Sequence, residues 1–153
     1  MLRIIKYVLD TKHLGLKIEP DEKPPGSPWQ ITCYSDSNYA NDHETRRSVS
    51  GYMVYVHGVP VVWKSKAQQS VPLSSTETEW SALSEAVKEV RFLQQLCESM
   101  QIQTQLPVLV RVDNTAAIYM SQNVTTTTRT KHIDVRTKFV KEFCEDGIIK
   151  ISL

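Results

Sequence analysis

An α/β fold, one mixed five-stranded sheet under helical cover, is what this sequence predicts. Three strand-like runs come first, then a long helix with one apolar stripe, then two further strands separated by helical segments. At 153 residues, 41% apolar and 23% charged, the chain has the size and composition of one domain able to bury a core. Its formal net charge of +1 gives no whole-chain signature of a polyanion binder. No apolar run approaches membrane-spanning length, and Met1-Leu2-Arg3-Ile4-Ile5-Lys6 lacks the shape of a secretory signal.

The elements follow in order. Residues 2–11 read as a short amphipathic helix with Leu2, Ile5 and Leu9 on one side. The run Pro20-Asp21-Glu22-Lys23-Pro24-Pro25-Gly26-Ser27-Pro28 is a strong linker signal. Residues 1–19 are therefore expected to be the tail of a preceding region, 20–28 a linker and 29–153 the domain proper. Residues 29–36 are the first predicted strand; 50–57 and 60–66 form a predicted hairpin turning at His57-Gly58-Val59. A long helix is expected from Ser74 to Met100, because Leu83, Ala86, Val90, Leu93, Cys97 and Met100 recur on one face. Pro107 introduces a strand over 108–113, followed by an expected short helix at 115–122 and the polar run 123–128 as a loop. A helix over about 133–144, stopped by Gly147, and a strand over 148–152 complete the order.

Glu79 is the anomaly in this pattern, a carboxylate at the head of the apolar stripe, where an unpaired charge is costly. Its neighbour Glu77 has a sufficient local role: Ser74 followed by Glu77 is a capping box, and Glu77 lines up with Ser81, Ser84 and Lys88 on the expected polar face. Glu79 has no such role, although pairing with an arginine is one way to hold it. Asp36 ends one apolar run and Asp113 another. Each alone is ordinary, the first as a turn residue and the second as a helix N-cap. Together they put two acids at the carboxyl ends of two strands, where open α/β sheets bind ligands. Converging carboxylates repel unless a cation lies among them, and an all-oxygen donor set favours Mg²⁺ or Mn²⁺ over Zn²⁺. Two such ions roughly 3.5–4 Å apart would suit phosphodiester hydrolysis.

With these residues in view, the chain resembles the ribonuclease H domain of copia-type long-terminal-repeat retrotransposon polyproteins. The blocks that carry the resemblance are Tyr34-Ser35-Asp36-Ser37-Asn38-Tyr39-Ala40, Arg46-Arg47-Ser48-Val49-Ser50-Gly51-Tyr52 and Val62-Trp63-Lys64-Ser65-Lys66-Ala67-Gln68. They continue with Leu73 to Trp80, Val112-Asp113-Asn114-Thr115-Ala116-Ala117-Ile118, and Arg129-Thr130-Lys131-His132-Ile133-Asp134-Val135-Arg136. The resemblance spans about residues 31–152, and residues 1–18 look like the last helix of a preceding reverse transcriptase portion. It implies the ribonuclease H fold and cleavage of the RNA strand of RNA/DNA hybrids, dependent on two Mg²⁺ ions for which Mn²⁺ can substitute. Asp36, Glu79 and Asp113 match the family's catalytic, metal-holding acids, with Glu79 the second glutamate of a Glu-x-Glu pair. Family members carry a fourth carboxylate on a helix after the last strand, in an Ala-Asp pair. This chain ends at Ile151-Ser152-Leu153, so that helix is expected to be missing and the fourth position vacant. Asp134 is expected at a helix start and Asp146 in a turn beside Gly147.

General recognition chemistry suggests how a hybrid would be held. Ser37, Ser75 and Asn114 adjoin the three acids and suit the 2′-hydroxyls that distinguish RNA. Lys64, Lys66, Arg129 and Lys131 suit phosphates, which position a duplex without reading its sequence. Capping and surface solubility are the ordinary alternatives for these seven. Two rival functions use the same fold. A hybrid-binding module without catalysis needs only the surface. An integrase- or transposase-type nuclease would pair Asp36 and Asp113 with a late-helix acid such as Glu142 or Glu145. Cys33, Cys97 and Cys144 lie in apolar segments without metal spacing, as expected of reduced thiols in an intracellular protein. The expected setting is a cytoplasmic virus-like particle or the nucleus, with a reverse transcriptase portion of the same polyprotein as partner and no membrane.

Overall fold

Alternation of buried and exposed residues builds the sheet. The computed structural model describes residues 2–40, 42, 44–69, 74–113 and 131–153, with side chains of the last helix described from Val135 onward. Strands β1 (Ile31–Asn38), β2 (Val49–Val56), β3 (Val59–Ala67), β4 (Val108–Val112) and β5 (Ile149–Ser152) form one sheet in the order β3-β2-β1-β4-β5. The first three pair antiparallel, while β1–β4 and β4–β5 are parallel. Ile31, Cys33, Ser35, Val108, Val110 and Val112 are buried, whereas Tyr34, Asp36 and Arg111 are exposed. The period of two puts the first set on one face.

That face is covered by α2 (Ser75–Ser99), which in turn packs against α3 (Lys131–Glu145). Trp80, Leu83, Ala86, Val87 and Val90 of α2 meet Val54, Val110, Val140 and Ile151 in one core cluster. Fully burying a side chain such as Leu83 contributes about 1.5–3 kcal/mol. Ser74 caps α2 by accepting from the Glu77 N–H at 3.2 Å, as the sequence predicts. The helix ends at Ser99, and Met100, expected at the foot of the apolar stripe, is exposed because it lies past the last turn. α3 ends in a Schellman arrangement: Ile148 N–H donates to Phe143 O and Gly147 N–H to Cys144 O, with Gly147 at φ 68°.

Several predicted boundaries move. β1 starts at Ile31, because Trp29 instead bridges Thr104, and it runs past Asp36 to Asn38. The β2–β3 turn is tighter than the predicted three residues. His57 and Gly58 have φ of 47° and 76°, as a two-residue turn with both central residues left-handed requires. α3 begins at Lys131, ahead of the expected start. The helix expected at 115–122 and the loop at 123–128 lie outside the described residues. Ser81 and Ser84, expected on the solvent face of α2, are buried at 7% and 1% exposure because α3 covers that side. Their hydroxyls are satisfied: Ser84 Oγ donates to Ser81 O, and Ser81 Oγ accepts from Arg136.

The amphipathic helix α1 (Leu2–Thr11) forms as predicted, yet none of its side chains is buried. Further along, the Asp21 N–H donates to His57 O at 2.8 Å, tying this segment to the β2–β3 turn. Among the described residues no helix is long and apolar enough to cross a membrane. Cys33, Cys97 and Cys144 are free thiols, the first two buried. Burial pushes the Cys33 thiol up to about 12, with the nearby Glu89 charge adding to the shift.

Candidate metal centre

Parallel pairing sets two of the acids side by side. The β1–β4 register ends at Ser35 opposite Val112, so the next residues, Asp36 still within β1 and Asp113 just past the end of β4, lie on adjacent strands at the same level. Glu79 comes from the second turn of α2 and meets them across the strand ends. One carboxylate oxygen from each of the three lies within 4.8 Å of the others. Asp36 and Asp113 are exposed and Glu79 is half-buried. Asp36 Oδ1 also accepts the Ser37 N–H at 2.7 Å, which fixes its rotamer.

The electrostatics of the group are unfavourable without a cation. Burial pushes the Glu79 carboxyl above its ordinary range, and the charges of Asp113 and Asp36 push it the same way. Ser37 acts in the opposite sense, favouring the ionised form. A Mg²⁺ ion takes oxygens at about 2.0–2.1 Å, which places ligands on one ion about 3–4 Å apart. The observed 4.8 Å envelope fits such an ion after a small contraction, or a pair of ions with shared ligands. The oxygen-only donor set fits hard cations and does not select Zn²⁺.

Two concave surfaces flank the carboxylates. On the far face of the sheet, a groove of about 750 Å³ runs from Asp36 and Asp113 past Tyr34, Met53, Trp63 and Arg111. On the α2 face, a pocket of about 220 Å³ lies between β2, β3, α2 and α3, lined by Ser50, Lys64, Lys66, Gln68, Ser81 and Arg136 among others. The pairing of Tyr52 with Lys64 and of Ser50 with Lys66 explains this, since paired residues share a face. Lys64 lies 3.6 Å from Glu85 and 5.9 Å from the Tyr52 ring centre. The pocket thus carries three cationic side chains against one carboxylate.

Of the residues singled out from sequence, Asp36, Glu79 and Asp113 converge. Ser37 adjoins them, its buried hydroxyl directed at the Glu79 carboxylate, whose ionised form it favours. Ser75 is exposed at the start of α2. Lys64 and Lys66 share the basic pocket rather than the carboxylate group. Asn114 and Arg129 lie outside the described residues, as does the side chain of Lys131. Glu142 pairs with Lys138 at 4.0 Å, and neither it nor Glu145 belongs to the carboxylate group. Sequence reasoning missed Arg136, which sits inside a basic run that reads as helix surface. Its distinguishing partner, Ser81, is far away in sequence.

No family model matches the chain. It is 28% identical over 149 residues to the retrovirus-related Pol polyprotein from transposon RE1 of Arabidopsis thaliana, a match covering 97% of this chain and 10% of that protein. It is 36% identical over 126 residues to the corresponding polyprotein from transposon TNT 1-94 of Nicotiana tabacum, covering 82% of this chain and 9% of that one. The chain therefore spans about a tenth of the length of these relatives. Among solved structures, LC11-RNase H1 in complex with an RNA/DNA hybrid superposes with a TM-score of 0.55 at 13% identity, over 80% of this chain and 81% of that one. At that identity the likeness speaks for the fold.

Proposed function

We propose, on the premise that this chain is an RNase H-like domain matching copia-type retrotransposon Pol polyproteins over most of its length, that it hydrolyses the RNA strand of RNA/DNA hybrids. The observation that carries the reading is the convergence of Asp36, Glu79 and Asp113 within 4.8 Å at the strand ends of that fold. These side chains would hold two Mg²⁺ ions, or Mn²⁺ in their place. Bound there, such ions supply Lewis-acid stabilisation of developing charge and a water acidic enough to attack at neutral pH.

The chain's own residues do the positioning. Asp36 and Asp113 are fixed by the β1–β4 ladder, and Glu79 must give up its proton to serve as a ligand. Lys64, Lys66 and Arg136 in the basic pocket hold a backbone phosphate and so set the register of the duplex. Ser75, exposed at the start of α2, and Ser37, beside Glu79, are the proposed partners of a 2′-hydroxyl. Asn114, Arg129 and Lys131 complete the proposed interface. Residues 1–19 are proposed as the tail of a reverse transcriptase region, a reading supported by the exposure of the α1 apolar side chains, none of which is buried. The proposed setting is the virus-like particle or nucleus of a host cell.

The test is end-labelled RNA/DNA hybrid incubated with the chain in Mg²⁺ or Mn²⁺, beside duplex DNA and the Asp113→Asn variant. Metal-dependent cleavage of the RNA strand alone is expected, reduced at least roughly 100-fold in Asp113→Asn. Cleavage that survives in Asp113→Asn refutes the assignment. Retention of hybrid with no cleavage by the unaltered chain supports the non-catalytic binding module instead.

A further inference from the structure

A buried polar knot lies behind the carboxylates. Ser48 and Thr78 are both 0% exposed and Gln68 is 8% exposed. Ala40 N–H donates to Ser48 Oγ at 2.9 Å, Ser48 Oγ meets Thr78 Oγ1 at 3.3 Å, and Thr78 Oγ1 donates to Ser74 O at 3.2 Å. A hydroxyl has one proton, so the Thr78 bond to Ser74 O leaves Ser48 as the donor in the pair. The chain of bonds then has one direction: Ala40 N–H to Ser48, Ser48 to Thr78, Thr78 to Ser74. Gln68 closes the knot, donating through Nε2 to Ser50 Oγ at 2.7 Å and to Thr78 O at 3.1 Å, and through its N–H to Ser48 O at 2.8 Å.

The tied segments are those that carry two of the acids. Ala40 closes the segment that β1 and Asp36 begin, and Thr78 immediately precedes Glu79. The β1–β4 ladder fixes Asp36 against Asp113, but no ladder reaches α2. Apolar packing holds α2 on the sheet without specifying its rotation or slide to a fraction of an ångström. Buried hydrogen bonds are directional and do specify it.

We propose that Thr78, with Ser48 and Gln68, is a positioning residue for the metal centre: the Ser48–Thr78 bond sets the first turns of α2, and with them Glu79, against Asp36. The inference rests on the metal-centre reading above. Groups that orient metal ligands from behind typically change metal affinity by roughly 10- to 100-fold when lost.

The test is a Mn²⁺ titration of the full chain, followed by electron paramagnetic resonance, beside thermal unfolding in EDTA. Thr78→Val keeps the shape and removes the hydroxyl; it is expected to weaken Mn²⁺ binding roughly 10- to 100-fold. Thr78→Ser restores the hydroxyl and is expected to bind within about threefold of the unaltered chain. Ser48→Ala breaks the same bond from the strand side, and carries the test if Thr78→Val does not fold. A purely structural role would lower the unfolding temperature yet leave Mn²⁺ affinity of the folded protein unchanged; that result overturns the inference alone. Absence of Mn²⁺ binding by the unaltered chain removes the metal centre, and this inference with it.

Discussion

Replacing Glu79 by glutamine should stabilise the metal-free protein while removing its response to Mg²⁺. Three carboxylates within 4.8 Å repel one another, and Glu79 bears the larger burial cost. Two unit charges at that separation interact by about 0.9 kcal/mol in water and about 3.5 kcal/mol at an effective dielectric of about 20. Asp36 and Asp113 are exposed, so solvent and salt pull each pair toward the lower figure. Two repulsions removed then amount to about 1–2 kcal/mol at pH 7. For a domain of this size that is a rise of about 2–8 °C in Tm. The pH dependence has a definite sign. Because the folded Glu79 holds its proton above the ordinary carboxylate range, the folded state binds more protons in that window. Stability in EDTA therefore falls as pH rises from the ordinary carboxylate range through the raised value, and Glu79→Gln flattens that limb. Differential scanning calorimetry in EDTA and in Mg²⁺, across pH 4 to 8, measures both effects. Mg²⁺ should raise the Tm of the unaltered chain by mass action and leave Glu79→Gln unmoved. A variant less stable than the parent in EDTA, or equally stabilised by Mg²⁺, would refute the reasoning.

Other predictions concern the pocket and the core. Arg136→Ala should weaken hybrid binding by about 3- to 10-fold and reduce the salt dependence by about one phosphate contact, with Lys66→Ala acting alike, as filter binding across a salt series would measure. If Arg136 serves only the Ser81 contact, Tm drops and the salt slope stays. Cys33, with its thiol pushed up to about 12, should resist alkylation at pH 8 in the folded protein and react only on unfolding, as mass spectrometry would report. The folded state keeps that proton, so Cys33 costs stability as pH climbs above the ordinary thiol range toward about 12, and Cys33→Ala should soften the alkaline loss.

Much of the architecture was legible because the local signals agree with the global fold. Glu79 stood out as a charge on an apolar stripe, and the structure sets it beside Asp36 and Asp113. What was not legible depends on a second neighbour. A single period of 3.6 finds one stripe, yet α2 is covered on two sides, by the sheet and by α3. Ser81 and Ser84 therefore read as solvent-facing and are buried, at little cost because their hydroxyls are bonded locally and to Arg136. Ser48, Thr78 and Gln68 escaped notice for a different reason. Small polar residues carry no periodic signal, and the contacts that join these three, Ser48 to Thr78 and Gln68 to Thr78, span 30 and 10 positions.

Adjacency of the two aspartates illustrates what only topology supplies. From sequence, Asp36 and Asp113 each end a strand, and nothing in either segment says that the strands are neighbours. The β3-β2-β1-β4-β5 order makes them so, by inserting β4 beside β1 rather than beside β3. Antiparallel pairing there would put Asp113 at the opposite end of β1 from Asp36. Parallel pairing in the observed register brings both to one end. The long helix between β3 and β4 is the crossover that parallel pairing demands, and its first turns necessarily start at the β3 end. The element required to make the sheet parallel is thus also the one that delivers Glu79. Two acids set by a backbone ladder and a third set by side-chain hydrogen bonds differ in how far they can drift. Mutations that loosen packing without unfolding the sheet should therefore show first in Glu79, as lost Mn²⁺ affinity before any loss of Asp36–Asp113 geometry.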